Sequence, residues 1–197
     1  MEKELEPRLE EAKEGKRVVL FADAVHFVCG SFLGCLWCLT RIFVPTMSGR
    51  QRYNLLGAIN AITHDFHKVC NDTYINALTV SELLRQVSEF YAGKVITIVL
   101  DNARYQHCNA VMELAKALNI ELLFLPSYSP NLNIIERLWK WAKKDCLNCK
   151  YYENFVSFKE AINKTLDKVG NYSAEKELKT LLALNFQIYD NAIYNRV

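Results

Sequence analysis

Two short apolar runs, each closed by an aspartate, constrain this chain more than any other feature. Arg17-Val-Val-Leu-Phe-Ala-Asp23 and Lys94-Val-Ile-Thr-Ile-Val-Leu-Asp101 read as buried strands, too short for helices and rich in β-branched and aromatic residues. In α/β sheets, ligand sites collect at the carboxyl ends of parallel strands. If the two strands are neighbours, their aspartates lie side by side, and charge repulsion adds to the cost of desolvation. A divalent cation relieves that cost, and an all-oxygen ligand set suits Mg²⁺ or Mn²⁺. Taken singly, either aspartate could equally cap a turn.

The rest of the chain reads as a mixture of periods. Residues 2–16 have helical spacing with a breaker at Gly15. Residues 27–40, 51–62 and 66–70 are strand candidates, with turn signals between them. Val80, Leu83, Leu84, Val87 and Phe90 mark a helix over 79–91 that stops at Gly93. Further helices are expected over 106–118, 134–146, 155–169 and 174–185, with a strand over 121–125. Strands alternating with helices imply a parallel portion of sheet covered on its faces. The mixed order fits a ribonuclease-H-like α/β fold, a mixed five-stranded sheet flanked by helices. It fits a dinucleotide binder less well, because neither Asp-ended strand is followed by a glycine-rich phosphate loop. The expected organisation is a lead-in helix (1–16), a catalytic domain (17–152) and a C-terminal helical extension of it (153–197).

Composition narrows the function classes. With 51% hydrophobic and 23% charged residues, the chain can build a core without disulfides or structural metal. A formal charge of +2 does not by itself announce nucleic acid. The charge is uneven, however: Arg137, Lys140, Lys143, Lys144 and Lys150 stand against the single acid Asp145 over residues 137–150. That stretch could face phosphates or simply be a solvated helix face. Seven cysteines and an acidic start after Met1 point to reduced thiols in a cytoplasm, and the apolar run 27–39 is too short to span a bilayer.

A third acid, Glu136, falls in the first turn of the helix after a Pro-bracketed loop, where an acid also suits the helix dipole. Its surroundings carry a resemblance. Asp101-Asn-Ala-Arg-Tyr-Gln-His107, Leu125-Pro-Ser-Tyr-Ser-Pro-Asn-Leu-Asn133 and Glu136-Arg-Leu-Trp139 resemble the DDE superfamily endonucleases. More narrowly, they resemble the insertion sequence 630 group, bacterial relatives of the mariner transposases. Thirty-four residues separate Asp101 from Glu136, which matches that group's spacing. One departure is Ala24, where many relatives carry Glu.

The resemblance implies that Asp23, Asp101 and Glu136 are the catalytic triad and hold two Mg²⁺ or Mn²⁺ ions, with Asp23 bridging. The reaction implied is DNA strand cleavage by water followed by joining through the freed 3′-hydroxyl. DNA is the implied partner, as transposon ends and a TA-containing target, with a homodimer in the full-length protein and a nucleoid location in a bacterial cytoplasm. Full-length relatives carry helix-turn-helix domains ahead of the catalytic part, whereas only sixteen residues precede the first catalytic strand here. A non-catalytic inhibitory fragment and a different ribonuclease-H-like nuclease are the alternatives.

Other residues receive lesser roles. Asn102 and His107 could orient water or phosphate as accessory groups, or cap local turns. Arg104, Arg137, Lys140, Lys143 and Lys144 are DNA-binding candidates, as are Arg41, Arg50 and Arg52 more remotely. His26, three residues past Asp23, should point to the opposite face of a strand. Trp139 and Trp141 read as core. Cys35–Cys38 and Cys146–Cys149 have zinc-like spacing, but residues three apart on a strand face opposite ways, so buried free thiols are the expectation.

Overall fold

Alternation along β1 (Arg17–Val28) sets the architecture. Val19, Phe21, Val25 and Phe27 enter one core, whereas Val18, Leu20 and Ala22 enter another, so the strand is covered on both faces. The computed structural model describes residues 2–30, 37–43, 51–126, 133–169 and 175–184.

The elements follow as α1 (Glu2–Lys13), β1, β2 (Arg52–Asn60), β3 (Phe66–Asn71), α2 (Ala77–Phe90), β4 (Val95–Leu100), a 3₁₀ turn (Arg104–Gln106), α3 (Asn109–Ala117), β5 (Ile120–Phe124), α4 (Ile135–Leu147), α5 (Phe155–Leu166) and α6 (Glu175–Leu181). The sheet order is β3-β2-β1-β4-β5. β1–β2 and β2–β3 are antiparallel, and β1–β4 and β4–β5 are parallel. This is the expected mixed five-stranded sheet flanked by helices. α1, α4, α5 and α6 cover one face, and α2 and α3 the other.

Local sequence explains the covering helices. α2 buries Val80, Leu83, Leu84 and Val87, one stripe at 3.6-residue spacing, and each fully buried aliphatic contributes roughly 1.5–3 kcal/mol. The Asn76 side chain accepts from the Thr79 backbone N–H at 3.1 Å and so caps its start. Gly15 and Gly93, the expected stops, adopt φ of +75° and +78°, where a side chain would be strained.

Three expectations need correction. The first apolar run does not end at Asp23: β1 continues to Val28 because β2 pairs along its whole length, Asp23 opposite Gly57 and Val28 opposite Arg52. Of the strand expected over 27–40, Phe27 and Val28 belong instead to the end of β1. Residues 37–43 are neither helix nor strand, and 31–36 lie outside the described residues, as do Arg50 and the loop residues 127–130. The helix expected from 106 starts at Asn109, because Arg104–Gln106 close a 3₁₀ turn instead.

Candidate active site

The parallel pairing of β1 with β4 runs at a constant offset, with Ala22 opposite Leu100. Carried one residue further, it sets Asp23 beside Asp101. Along β1, Asp23 interrupts the series Val19, Phe21, Val25, Phe27 that packs beneath α4, so its carboxyl points to the α4 side.

α4 answers it there. The Trp139 indole N–H donates to Asp23 Oδ2 at 3.2 Å, and the Ala24 backbone N–H donates to Oδ1 at 2.6 Å. Ahead of the helix, the Asn133 amide Nδ2 donates to Asp101 Oδ1 at 3.1 Å and to the Ala22 carbonyl at 3.4 Å. Asn133 is buried, as are Ile134 and Ile135 beside it. Gly57 makes room for the indole: a Cβ there would lie 2.6 Å from Trp139 Cη2 and 2.8 Å from Phe66 Cε2.

The electrostatics are unbalanced. Burial pushes the Asp23 carboxyl up to about 7; the charges of Asp101 and Glu136 add to that, while the Ala24 and Trp139 donors oppose it. Glu136 is also raised, by burial and then by Asp101, with Lys140 pulling the other way. Burial, followed by the charges of Asp23 and Asp101, raises the Tyr105 phenol, which places that ring near the same acids. None of the three acids forms an ion pair among the described residues. They sense each other without closing into a ready-made cage: among the described residues, no group of three or more His, Cys, Asp or Glu is gathered tightly enough to hold a metal ion.

The remaining candidates scatter. Asn102 and His107 are exposed and hydrogen-bond to each other, and the His107 ring stacks on Phe124 at 3.8 Å. Arg104, Lys140, Lys143 and Lys144 are exposed, with the Lys143 ammonium 5.9 Å from the Phe27 ring centre. Arg137 is partly buried, and its Nη1 donates to the carbonyls of Leu181 (3.3 Å) and Ala183 (2.8 Å), tying the end of α6 to α4. His26 does lie on the face opposite Asp23, bonded to the buried Asn54 at 2.6 Å. Cys146 is buried and Cys149 exposed, so that pair does not share an environment.

Sequence reasoning missed the roles of Asn133, Gly57 and Tyr105, and half of Trp139. A lone glycine inside an apolar strand signals a close approach by something bulky, so Gly57 was open to detection. The indole's polar edge was a second signal, since a buried Trp N–H usually finds an acceptor.

Comparison with known proteins supplies the context. The sequence profile of the DDE superfamily endonucleases matches residues 40–159, well over half of the chain; Asp101 and Glu136 fall within the match and Asp23 ahead of it. The chain is 27% identical over 127 residues to the insertion element IS630 uncharacterized 39 kDa protein of Shigella sonnei, a match that covers 62% of this chain and 36% of that protein. Among solved structures, the Mos1 transposase paired-end complex with left transposon end aligns over 93% of this chain and 61% of its own, at a TM-score of 0.57 and 12% identity. The catalytic core domain of BIV integrase aligns over 78% and 84%, at 0.52 and 14%. These likenesses show a ribonuclease-H-like fold. The chain spans about a third of the curated relative and about three fifths of the transposase.

Proposed function

Because the chain belongs to the DDE superfamily endonucleases, we propose that it is the catalytic part of a DNA transposase that cuts and joins DNA strands with divalent cations at Asp23, Asp101 and Glu136. One observation carries this reading. Two carboxylates on neighbouring parallel strands share a half-buried space with a third, and among the described residues no basic side chain forms an ion pair with any of them.

The residues fit a hard divalent cation. All the donors are oxygen, and burial first, then the neighbouring charges of Asp101 and Glu136, raise the Asp23 carboxyl, which a bound cation would relieve. We assign two Mg²⁺ or Mn²⁺ ions to the working enzyme, which Asp23, Asp101 and Glu136 would hold. When bound, they would supply Lewis-acid stabilisation to the attacking and leaving oxygens of an in-line displacement.

The protein's own part is to hold and exclude. Asp23 and Asp101 are fixed by the sheet, and Glu136 by the first turn of α4. Ile134 and Ile135, buried in the core beside Asn133, anchor the start of α4. No side chain needs to act as a nucleophile, because water serves for cleavage and a freed 3′-hydroxyl for joining. The exposed Lys140, Lys143 and Lys144 lie three and four residues apart on α4, so they can track a phosphate backbone.

DNA as partner draws support from the solved relatives, one of them a transposase on its transposon end. A TA-containing target, a homodimer on paired ends and a bacterial cytoplasmic, nucleoid-associated setting extend the same reading. Among the described residues, no helix is long and apolar enough to cross a membrane.

The test is Mn²⁺- or Mg²⁺-dependent nicking of supercoiled plasmid beside an Asp101→Ala variant. Loss of several kcal/mol of transition-state stabilisation corresponds to a rate fall of about 10³-fold or more. Equal nicking by both proteins would sink the reading.

A further inference from the structure

Three side chains converge on the strand acids from one stretch of chain: Asn133, Glu136 and Trp139, spaced by three residues along the entry to α4 and its first turns. Resting on the cation-site reading above, we infer that Asn133 and Trp139 are positioning residues, which orient the carboxylates of Asp101 and Asp23 so that both accept the same divalent cations.

Both donors are neutral. A lysine or arginine at either place would neutralise the acid it held and compete with a cation, whereas an amide or indole N–H fixes one oxygen and leaves the charge in place. Each carboxylate oxygen has further lone pairs, so one donor apiece leaves acceptor capacity facing the site.

Both donors are also locked. The Asn133 amide cannot turn freely, because its Nδ2 also reaches the Ala22 carbonyl of β1 and its Oδ1 accepts the Ile135 backbone N–H at 3.4 Å. One amide thus joins β1, Asp101 and the start of α4. The Trp139 indole is held edge-on by Phe66, with ring centres 5.9 Å apart at 74°. It lies over the strand only because Gly57 has no side chain. Groups that orient metal ligands in this way typically change metal affinity or activity 10- to 100-fold when removed.

Trp141 provides the control. It is a buried indole on the same helix, so its loss costs packing without taking a donor from either acid. Mn²⁺ binding is measured on the intact chain by electron paramagnetic resonance of the free ion, for the wild type and for Trp139→Phe, Asn133→Ala, Trp141→Phe and Asp101→Ala. Trp139→Phe keeps a ring in the same space and is expected to remain folded even if Asn133→Ala does not. We expect Trp139→Phe and Asn133→Ala to raise the Mn²⁺ Kd about 10- to 100-fold, with Trp141→Phe within about twofold of wild type. A Trp139→Phe Kd within about twofold of wild type overturns the inference. An equal loss in Trp141→Phe also overturns it, because the effect would then be packing. If Asp101→Ala binds Mn²⁺ as the wild type does, the cation site itself is wrong; if only that variant weakens binding, the site stands and the positioning role falls.

Discussion

Two acidic sites lie on the same face of one sheet, four residues apart along β4 or about 13 Å, and they are treated in opposite ways. At the strand starts, Glu121 of β5 receives the Arg8 Nε at 2.9 Å, the Arg17 Nη1 at 2.7 Å and the Thr97 hydroxyl at 2.8 Å. Arg8 above all holds its carboxyl down to about 2. At the strand ends, Asp23 receives, among the described residues, an indole and a backbone N–H, and burial carries its carboxyl up to about 7. Arginines on α1 and β1 compensate the acid that fastens α1 to the sheet, and none reaches the acids assigned to catalysis. A deficit of positive charge kept in one place and cancelled in another is the electrostatic setting that the proposed cation site requires.

The contrast can be broken from its functional end first. Gly57→Ala puts a methyl into the Trp139 indole without touching Glu121. Overpacking of this kind typically costs about 1–3 kcal/mol, read as a lower urea midpoint, and displacing the indole from Asp23 should also raise the Mn²⁺ concentration needed for nicking. An unchanged Mn²⁺ requirement would show that the indole does not serve the acid.

Glu121→Gln tests the compensated end. Because Glu121 titrates below its usual range when folded, its stabilisation is complete above about pH 4.5 and disappears as the pH falls towards 2. The variant should lose about 1 kcal/mol at pH 7, flatten that acid limb in pH-resolved urea melts, and leave Mn²⁺ binding untouched. A weakened Mn²⁺ response would mean that the two ends are coupled.

Asp23→Asn gives the smallest effect and the opposite sign. Folded Asp23 prefers its protonated form, so the contribution it makes to stability is present below about pH 3.8 and is lost as the pH rises through about 7. In metal-free protein at pH 8, the variant should be more stable by about 0.5–1 kcal/mol, a modest gain because an amide offers only one acceptor to the Ala24 and Trp139 donors. Mn²⁺ should raise the melting temperature of the wild type and not of the variant. A less stable variant in metal-free buffer contradicts the charge deficit.

Much of this site could be read from the chain because local pattern and chemistry agreed. The runs ending in Asp23 and Asp101 are apolar enough to be strands, and β4 does end beside its aspartate. β1 does not, because an antiparallel partner extends it five residues past Asp23, and a partner strand leaves no mark on the sequence it pairs with. Glu136 emerged from its motif and not from any periodicity. The contacts of Arg137 with the end of α6 were not legible: the carbonyls it binds belong to residues 44 and 46 positions away, and a guanidinium reads the same whether it meets a helix end or a phosphate. Trp139 read as core because it is core by burial, while its single polar edge performs the other task.

The register between β1 and β4 has one more consequence. Residues that face each other across it are 78 positions apart in the chain, with β2, β3 and α2 between them. No local segment, however well formed, can bring Asp23 and Asp101 together before that large loop has closed, and closure carries an entropic cost that local contacts do not share. The paired aspartates therefore report on completed folding: a newly made chain acquires them only when its central strands have met.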